Sequence, residues 1–439
     1  MKDNNTYTCN FCGASYTEEY LNENNIIMIQ SPINESIGIC SNCSLSSYDI
    51  IEELNKSKTN DEYKKINLKK ITTPSSIKKH LDEWIIGQEK AKKDISTAVY
   101  NHYKMITANK NALKTEIEKS NVLLVGPTGT GKTAIIKALG KLLEVPYVIA
   151  DANSLTQSGY VGRDVEDMLK DLLEAADGDL NKAQKGIIYM DEIDKLGRKG
   201  ASPSGSRDIS GEGVQQALLK LVEGGVFDIV TGDKKKKNLV NNKTIKFDTS
   251  QVLFIAGGSF EGIEKTIQQR LNKKEGATRI GFSGNVKKIN TDETFNELIT
   301  QVNPEDLKNF GMLPELLGRF PVLASLEQLT EKAMISILTE PKNALLKQYK
   351  ELFTMDNISL VVEEDAIKEL ANKALEKKIG ARALRATVEE ALKDIMYIAP
   401  DIKGLQVVKI TKEAIENPMC AKFLIDNKEK YMQEIKAQA

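Results

Sequence analysis

The sequence predicts an α/β fold in which a parallel sheet has helices on both faces, joined to a small, mostly helical domain. From Thr73 onward, short runs rich in β-branched residues alternate with stretches of helical periodicity, which is typical of parallel strands connected by helices. After Pro321 the pattern turns mostly helical. Two pairs of cysteines near the N-terminus predict a separate small module ahead of the sheet.

The individual elements follow from these patterns. In the α/β part we predict strands at Val122–Val125, Tyr147–Ala150, Ile187–Met190 and Val252–Ala256, with helices such as Val165–Ala176 and Val214–Val222 between them. Beyond Pro321 the helical stretches are Lys332–Phe353 and Glu364–Ala374, and the strand candidates are Ile358–Val362 and Gln406–Ile410.

The predicted domain boundaries are a cysteine module at 1–50, a linker at 51–72, the α/β domain at 73–323, a small lid domain at 324–425 and a tail at 426–439. The linker is predicted from its Lys- and Asn-rich composition, which a solvated helix would explain equally well.

Composition excludes several classes of protein. The longest apolar runs are far shorter than the ~20 residues that a membrane helix needs, and the N-terminus lacks a targeting pattern, so we expect a cytoplasmic location and no membrane. With 61 Lys and Arg against 62 Asp and Glu, the chain lacks the basic excess of nucleic-acid-coating proteins. Its two histidines, His80 and His102, do not have metalloprotease spacing. Peptide hydrolysis of its own is therefore not expected.

Four of the five cysteines form Cys9-x-x-Cys12 and Cys40-x-x-Cys43. Each pair can direct two thiolates at one ion, and the two pairs together complete a tetrahedral site. We interpret them as a structural Zn²⁺ site, because four sulfur ligands leave no open position for water or substrate. Two disulfides are the alternative, which a reducing cytosol disfavours. Cys420 is interpreted as a buried small side chain.

A phosphate-binding loop is the strongest single motif. The segment fits the pattern G-x-x-x-x-G-K-[ST], directly follows a predicted strand and precedes the helical stretch Ala134–Leu143. Its glycines let backbone N–H groups face phosphates, its Lys reaches the β- and γ-phosphate oxygens, and its Thr hydroxyl binds Mg²⁺. The predicted nucleotide site consists of Gly126, Pro127, Thr128, Gly129, Thr130, Gly131, Lys132 and Thr133.

An acidic pair supplies the second half of this site. Asp191 and Glu192 directly follow the buried-strand run Ile187–Met190. Phosphoryl transfer needs a carboxylate in the Mg²⁺ shell and a group that polarises the attacking water. We assign these roles to Asp191 and Glu192 respectively, in preference to a helix cap, and therefore expect hydrolysis. Arg319 and Arg382 are candidates for contacting phosphate charge, although a single arginine is more often a surface cation.

Several further segments resemble the ClpX family of AAA+ unfoldases, the ATP-binding subunits of Clp proteases. The resemblance runs from the cysteine module through the lid domain and is most specific at Gly159–Arg163, Asp191–Lys195, Arg207–Lys220 and Ile280–Phe282. It implies an AAA+ P-loop ATPase that uses ATP, Mg²⁺ and Zn²⁺ and forms a homo-hexamer. Such a ring unfolds tagged or adaptor-delivered proteins through its pore and passes them to a ClpP-type peptidase.

The resemblance also implies roles for residues. Ile85 and Ile86 would cradle adenine, Arg319 would reach the γ-phosphate of a neighbouring subunit, and Arg382 would report nucleotide to the lid domain. From the residues alone, Ile85 and Ile86 could be plain core and Tyr160 an ordinary buried aromatic. The implied pore residues are Tyr160, Val161 and Arg207, and the implied peptidase-docking residues are Ile280, Gly281 and Phe282.

The sequence departs from the family at two places. The spacer between the cysteine pairs is longer than in the family. Lys234–Lys237 stands where the family has its pore-entrance loop. These lysines could attract the terminal carboxylate of a tag, or they could form a solvated basic loop. A nucleic-acid-remodelling AAA+ ATPase is the alternative function, which balanced charge and a single Trp oppose. A related unfoldase ring with a different peptidase is a third possibility, against which the four-cysteine module argues.

Overall fold

The computed structural model describes residues 6–24, 26–31, 37–48, 50–51, 73–108, 115, 117–156, 163–197, 211–231, 243–275, 292–417 and 420–424. The chain divides into two compact units, residues 1–66 and residues 67–439. The predicted linker lies, apart from its first residue, outside the described residues. No helix in the described part of the chain is both long and apolar enough to cross a bilayer.

Within the residues that the structure describes, the first unit has two short antiparallel strand pairs and two helices. Strand β1 (Thr6–Thr8) pairs with β2 (Ser15–Thr17), helix α1 (Glu18–Glu23) follows, and β3 (Met28–Gln30) pairs with β4 (Gly38–Cys40) ahead of α2 (41–48). Among its described residues, the buried apolar side chains are those of Cys9, Leu21 and Cys40. So small a core cannot stabilise a fold alone, and such units usually need a metal or a disulfide.

The second unit begins with an α/β part that carries its largest sheet. In chain order its elements are α3 (Pro74–Asp82), α4 (Glu89–Thr107), β5 (Val122–Val125), α5 (Lys132–Leu143), β6 (Tyr147–Asp151), β7 (Leu155–Thr156), β8 (Arg163–Asp164), α6 (Asp167–Ala175), α7 (Leu180–Ala183), β9 (Ile187–Asp191), α8 (Glu212–Glu223), β10 (Val226–Thr231), β11 (Lys243–Asp248), β12 (Leu253–Gly258), α9 (Ile263–Glu275), α10 (Asp292–Ile299), α11 (Pro304–Phe310), α12 (Pro314–Gly318) and β13 (Val322–Ser325).

The predicted parallel sheet is confirmed. Its strand order is β13-β5-β12-β9-β6, and every neighbouring pair is parallel. Leu123 and Ile188 belong to one apolar cluster with residues of α6 and α8. The residues next to them in their strands, Val122 and Tyr189, are buried but lie outside that cluster. Helices α4 and α5 also contact the sheet. Because alternate residues of a strand point to opposite faces, helices cover both faces. All carboxyl ends of the strands therefore meet at one edge.

A second apolar cluster forms the core of the small domain. Strand β15 pairs in parallel with β14 and antiparallel with β16. The predicted helical stretch Lys332–Phe353 is two helices, because Pro341 cannot continue a helix and restricts the residue before it. The elements are α13 (Glu331–Thr339), α14 (Leu345–Met355), β14 (Ser359–Val362), α15 (Glu364–Glu376), α16 (Arg382–Ile398), β15 (Val407–Ile410), α17 (Lys412–Glu416) and β16 (Lys422–Leu424).

The interpretation of Cys420 as a buried side chain is wrong. Its side chain is exposed, because it lies in the short segment between α17 and β16 rather than inside an element that packs on the core.

Candidate nucleotide site and cysteine cluster

The phosphate-binding loop joins β5 to α5 as predicted from the motif. Gly129 and Gly131 adopt φ values of +77° and +102°, which residues with a Cβ rarely adopt. Lys132 is almost fully buried, and its Nζ donates hydrogen bonds to the carbonyl oxygens of Gly126 (2.6 Å) and Pro127 (2.9 Å). Burial lowers the pKa of Lys132 to about 8, against the opposing attraction of Asp191. A phosphate ligand would be stabilised by the protonated form of this lysine.

Asp191 ends strand β9 and lies against the first turn of α5. Its Oδ2 accepts a hydrogen bond from Thr133 Oγ1 at 3.0 Å, and its Oδ1 accepts one from Tyr189 Oη at 3.0 Å. A hydroxyl and a carboxylate oxygen are ligands of the kind that Mg²⁺ prefers. The residues that the sequence assigned to Mg²⁺, Thr133 and Asp191, therefore fit that ion.

Glu192 follows with a left-handed backbone, φ +58°, which is uncommon for a residue with a side chain and often marks a functional position. Its Oε2 accepts a hydrogen bond from Asn153 Nδ2 at 2.5 Å. Asn153 was not predicted from the sequence, because a single asparagine after a strand matches no motif. Asn153 comes just after β6, whose Asp151 pairs in register with Asp191, so the two strand ends are adjacent.

A second pair of residues, Ser259 and Asp194, forms hydrogen bonds at the same edge of the sheet. Ser259 follows β12, and both its backbone N and its Oγ donate to the carboxylate of Asp194, each at 3.1 Å. Asp194 is buried, so these bonds compensate the desolvation of its charge. They fix the turn after Glu192 to the neighbouring strand.

The small domain reaches the phosphate-binding loop through the start of α16. The backbone N of Ala381 donates to the carbonyl of Gly129 at 3.1 Å. Gly380 has φ +61°, and a Cβ on it would lie 2.7 Å from the carbonyl oxygen of Thr128. This approach of two glycine-containing turns places Arg382 at the loop. A cavity of about 540 Å³ is lined by residues that include Lys132, Thr133, Asp191, Glu192 and Arg382.

The predicted adenine residues lie beside the same loop. Ile85 is buried, and its Cγ2 would be 3.8 Å from a Cβ built on Gly131, whereas Ile86 is half-buried. Lys92, itself 2% exposed, donates from Nζ to the carbonyl of Ile85 at 3.3 Å. Gln88 adds two side-chain hydrogen bonds to the backbone of Glu327, each 2.8 Å. The segment that carries both isoleucines is thus held at fixed points.

Arg319 lies elsewhere. It lines a different cavity, of about 690 Å³, and its Nη2 donates to Glu223 Oε1 at 2.7 Å. The structure therefore brings Lys132, Thr133, Asp191, Glu192 and Arg382 together, but not Arg319. Other predicted residues lie outside the described part of the chain, namely Tyr160, Val161, Arg207, Ile280, Gly281, Phe282 and Lys234–Lys237.

The four cysteines of the first unit converge. The Sγ atoms of Cys9, Cys12, Cys40 and Cys43 all lie within 4.8 Å of one another. A tetrahedral site with Zn–S bonds of about 2.3 Å requires Sγ separations of roughly 3.8 Å, so the cluster is compatible with Zn²⁺. Hydrogen bonds from the backbone of Cys12 and Cys40 lower the pKa of the Cys9 thiol to about 6, which favours the thiolate that binds metal.

The fold and site together define a P-loop ATPase of the AAA+ class. Residues 117–323 match the family described as AAA domain (Cdc48 subfamily), and residues 329–402 match the C-terminal, D2-small domain of ClpB protein.

Comparison with individual proteins identifies the family. The chain is 43% identical over 422 residues to the ATP-dependent Clp protease ATP-binding subunit ClpX of Bacteroides thetaiotaomicron, covering 95% of this chain and 98% of the relative. The proteins of the same name from Treponema denticola (43% identity, 93% and 94% coverage) and Bacteroides fragilis (42%, 90% and 92%) are similarly close. The chain belongs to the ClpX family, which confirms the predicted resemblance and the predicted AAA+ fold.

Proposed function

We propose that this chain is an ATP-driven protein unfoldase that works as a homo-hexamer and passes unfolded chains to a ClpP-type peptidase. The relatives are named as ATP-binding subunits of an ATP-dependent Clp protease, and the match extends over nearly the whole chain. The observation that carries the ATPase part is the convergence of Lys132, Asp191, Glu192 and Arg382 on one cavity. A nucleic-acid-remodelling function is not favoured by these relatives.

The chemistry follows from the positions of the side chains. The ammonium of Lys132 and the backbone N–H groups at the start of α5 bind the phosphates of ATP. Thr133 and Asp191 would hold Mg²⁺, which supplies neutralisation of charge on the β- and γ-phosphates. Glu192 polarises the attacking water, and Asn153 holds its carboxylate in place. Arg319, presented to a neighbouring subunit, stabilises the charge that develops on that subunit's γ-phosphate.

Hydrolysis is coupled to motion through the contact between α16 and the phosphate-binding loop. Ala381 is hydrogen-bonded to the loop, and Arg382 lines the cavity that would hold the phosphates. Gain or loss of a phosphate there therefore changes the position of the small domain. Tyr160 and Val161, flanked by glycines, would grip a translocating chain by van der Waals contact without reading its sequence. In our proposal Ile280–Phe282 docks into the peptidase.

The test uses a folded fluorescent protein with an unstructured C-terminal tail, mixed with this chain and ATP, with and without a ClpP-type peptidase. We expect ATP-dependent loss of fluorescence that the peptidase makes irreversible. Tyr160→Ala should abolish unfolding while ATP hydrolysis continues, and Tyr160→Phe, which keeps the ring, is the matched control. Equal loss of hydrolysis and unfolding in Tyr160→Ala would contradict the gripping role.

Glu192→Gln separates nucleotide binding from turnover. Because a positioned general base contributes about 10²–10⁴-fold, we expect kcat to fall by at least about 100-fold while ATP binding persists. Glu174→Gln, at an exposed position on α6, is the control. Steep stimulation of the ATPase by DNA at low salt would instead support the nucleic-acid alternative.

A further inference from the structure

Arg319 is held at its main chain by a buried asparagine. Asn121, 1% exposed, donates from Nδ2 to the carbonyl oxygen of Arg319 at 2.9 Å, and its Oδ1 accepts from the backbone N of Phe254 at 3.2 Å. Asn121 directly precedes β5 and Phe254 lies in β12. The backbone of Arg319 is therefore tied to the two strands at the centre of the nucleotide-binding sheet.

Its guanidinium is held by a carboxylate. Nη2 of Arg319 donates to Oε1 of Glu223 at 2.7 Å, and both side chains line the 690 Å³ cavity. The two side chains are 49% and 40% exposed, so a second subunit can reach them. Lys119 also lines this cavity, but its Nζ donates to the carbonyl of Thr249 and not to Glu223.

This geometry suits an arginine that must act on something outside its own chain. A free arginine side chain samples many rotamers, and fixing it on encounter costs conformational entropy. A guanidinium has five N–H donors in a fixed fork, so a bond from one Nη2 hydrogen leaves other donors for a phosphate. Glu223 can therefore orient Arg319 without occupying the donors that the reaction needs.

We propose that Glu223 is a positioning residue that orients Arg319 toward the nucleotide of the neighbouring subunit. The proposal rests on the proposed function, in which Arg319 acts between subunits. Glu223 is the last residue of α8, and α8 begins five residues after Arg207, a predicted pore residue. Helix α8 therefore begins close in sequence to a predicted pore residue and ends at Glu223, the residue that orients Arg319.

The first test measures steady-state ATP hydrolysis by the full chain. An exposed ion pair contributes up to about 1 kcal/mol, which is about fivefold in rate, so we expect Glu223→Ala to lower kcat by roughly two- to fivefold with KM for ATP unchanged. Glu223→Gln, which keeps the hydrogen-bond acceptor, should recover part of the loss. Glu315→Ala, an exposed glutamate four residues before Arg319, is the matched control and should match wild type. A rise in KM with kcat unchanged would overturn the proposal.

A double variant asks whether Glu223 acts through Arg319. Adding Glu223→Ala to Arg319→Ala should lower kcat no further, because the group that Glu223 orients is already gone. A further two- to fivefold loss in the double variant would show that Glu223 acts by another route and would overturn the proposal.

Mixed rings then decide where Glu223 acts. Each variant is mixed with a fivefold excess of Glu192→Gln subunits before nucleotide is added, so that most active sites face a neighbour with an intact Glu223–Arg319 pair. The reference is wild type mixed with the same excess of Glu192→Gln subunits. We expect the ATP turnover per active subunit of Glu223→Ala to equal that of this reference. If the deficit persists while Arg319→Ala is rescued, the positioning proposal fails. If Arg319→Ala itself is not rescued, the intersubunit role of Arg319 fails, and the positioning proposal fails with it.

Discussion

The hydroxyl of Thr133 donates a hydrogen bond to Oδ2 of Asp191, with 3.0 Å between the two oxygens. This bond joins the first turn of α5 to the end of β9. The two residues are 58 positions apart in the chain. Their oxygen atoms form the ligand pair expected for Mg²⁺ beside the phosphates.

Thr133→Val removes the hydroxyl with little change in side-chain volume. We expect the Mg²⁺ concentration for half-maximal ATP hydrolysis to rise about tenfold or more, because one oxygen ligand is lost, while binding of metal-free ATP stays within about twofold. Titration of Mg²⁺ at saturating ATP measures the first quantity. Thr354→Val, at an exposed position on α14, is the control, and an unchanged Mg²⁺ requirement in Thr133→Val would argue against the assignment.

ATP affinity should depend on pH through Lys132, whose pKa burial lowers to about 8. Bound phosphate favours the protonated lysine, so the free protein loses this proton at a lower pH than the complex does. Affinity should therefore be flat below about pH 7 and fall above about pH 8, by up to about tenfold per pH unit. Equilibrium binding of a fluorescent ATP analogue between about pH 7 and 9.5 would measure this. Lys132→Arg remains protonated across this range and should lack the slope; the same slope in that variant would exclude Lys132 as its origin.

Gly380→Ala should uncouple the small domain from the phosphate-binding loop. The added Cβ would lie 2.7 Å from the carbonyl oxygen of Thr128, so α16 must shift and move Arg382 away from the phosphates. We expect KM for ATP to rise about tenfold, together with the roughly 1–2 kcal/mol that a left-handed alanine costs in stability.

Gly178→Ala is the matched control for this variant. Gly178 has a similar φ of +80°, but a Cβ there would meet nothing within 4 Å. It should therefore lose stability without a change in KM. Thermal unfolding and ATPase kinetics measure the two effects, and equal KM values in both variants would show that the close approach is not needed for nucleotide binding.

Metal removal should unfold the first unit and leave the ATPase intact. Chelation or Cys12→Ser is expected to remove about one Zn²⁺ per chain and to make backbone amide exchange fast across residues 6–51, because the described residues bury few apolar side chains there. ATP hydrolysis should stay within about twofold. Cys420→Ser, an exposed cysteine outside the cluster, should change neither quantity. Retained amide protection without metal would show that the cluster is not a structural zinc site.

The sequence by itself determined the parallel sheet, the phosphate-binding loop, the acidic pair and the four-cysteine cluster. Each depends on local order, such as a strand followed by a glycine-rich turn or two cysteines separated by two residues, and these patterns survive without knowledge of neighbours in space. The family resemblance depends on further contiguous segments, of which Gly159–Arg163 and Arg207–Lys220 are among the most specific.

Only the tertiary structure decided which distant groups meet. Asn153 contacts Glu192 because β6 and β9 are adjacent, and Glu223 contacts Arg319 although 96 positions separate them in the chain. Single polar residues such as these carry no periodic or motif signal, since their partners are set by strand order and by how helices pack on the sheet. The roles of Asn153 and Glu223 could therefore be inferred only from the tertiary structure.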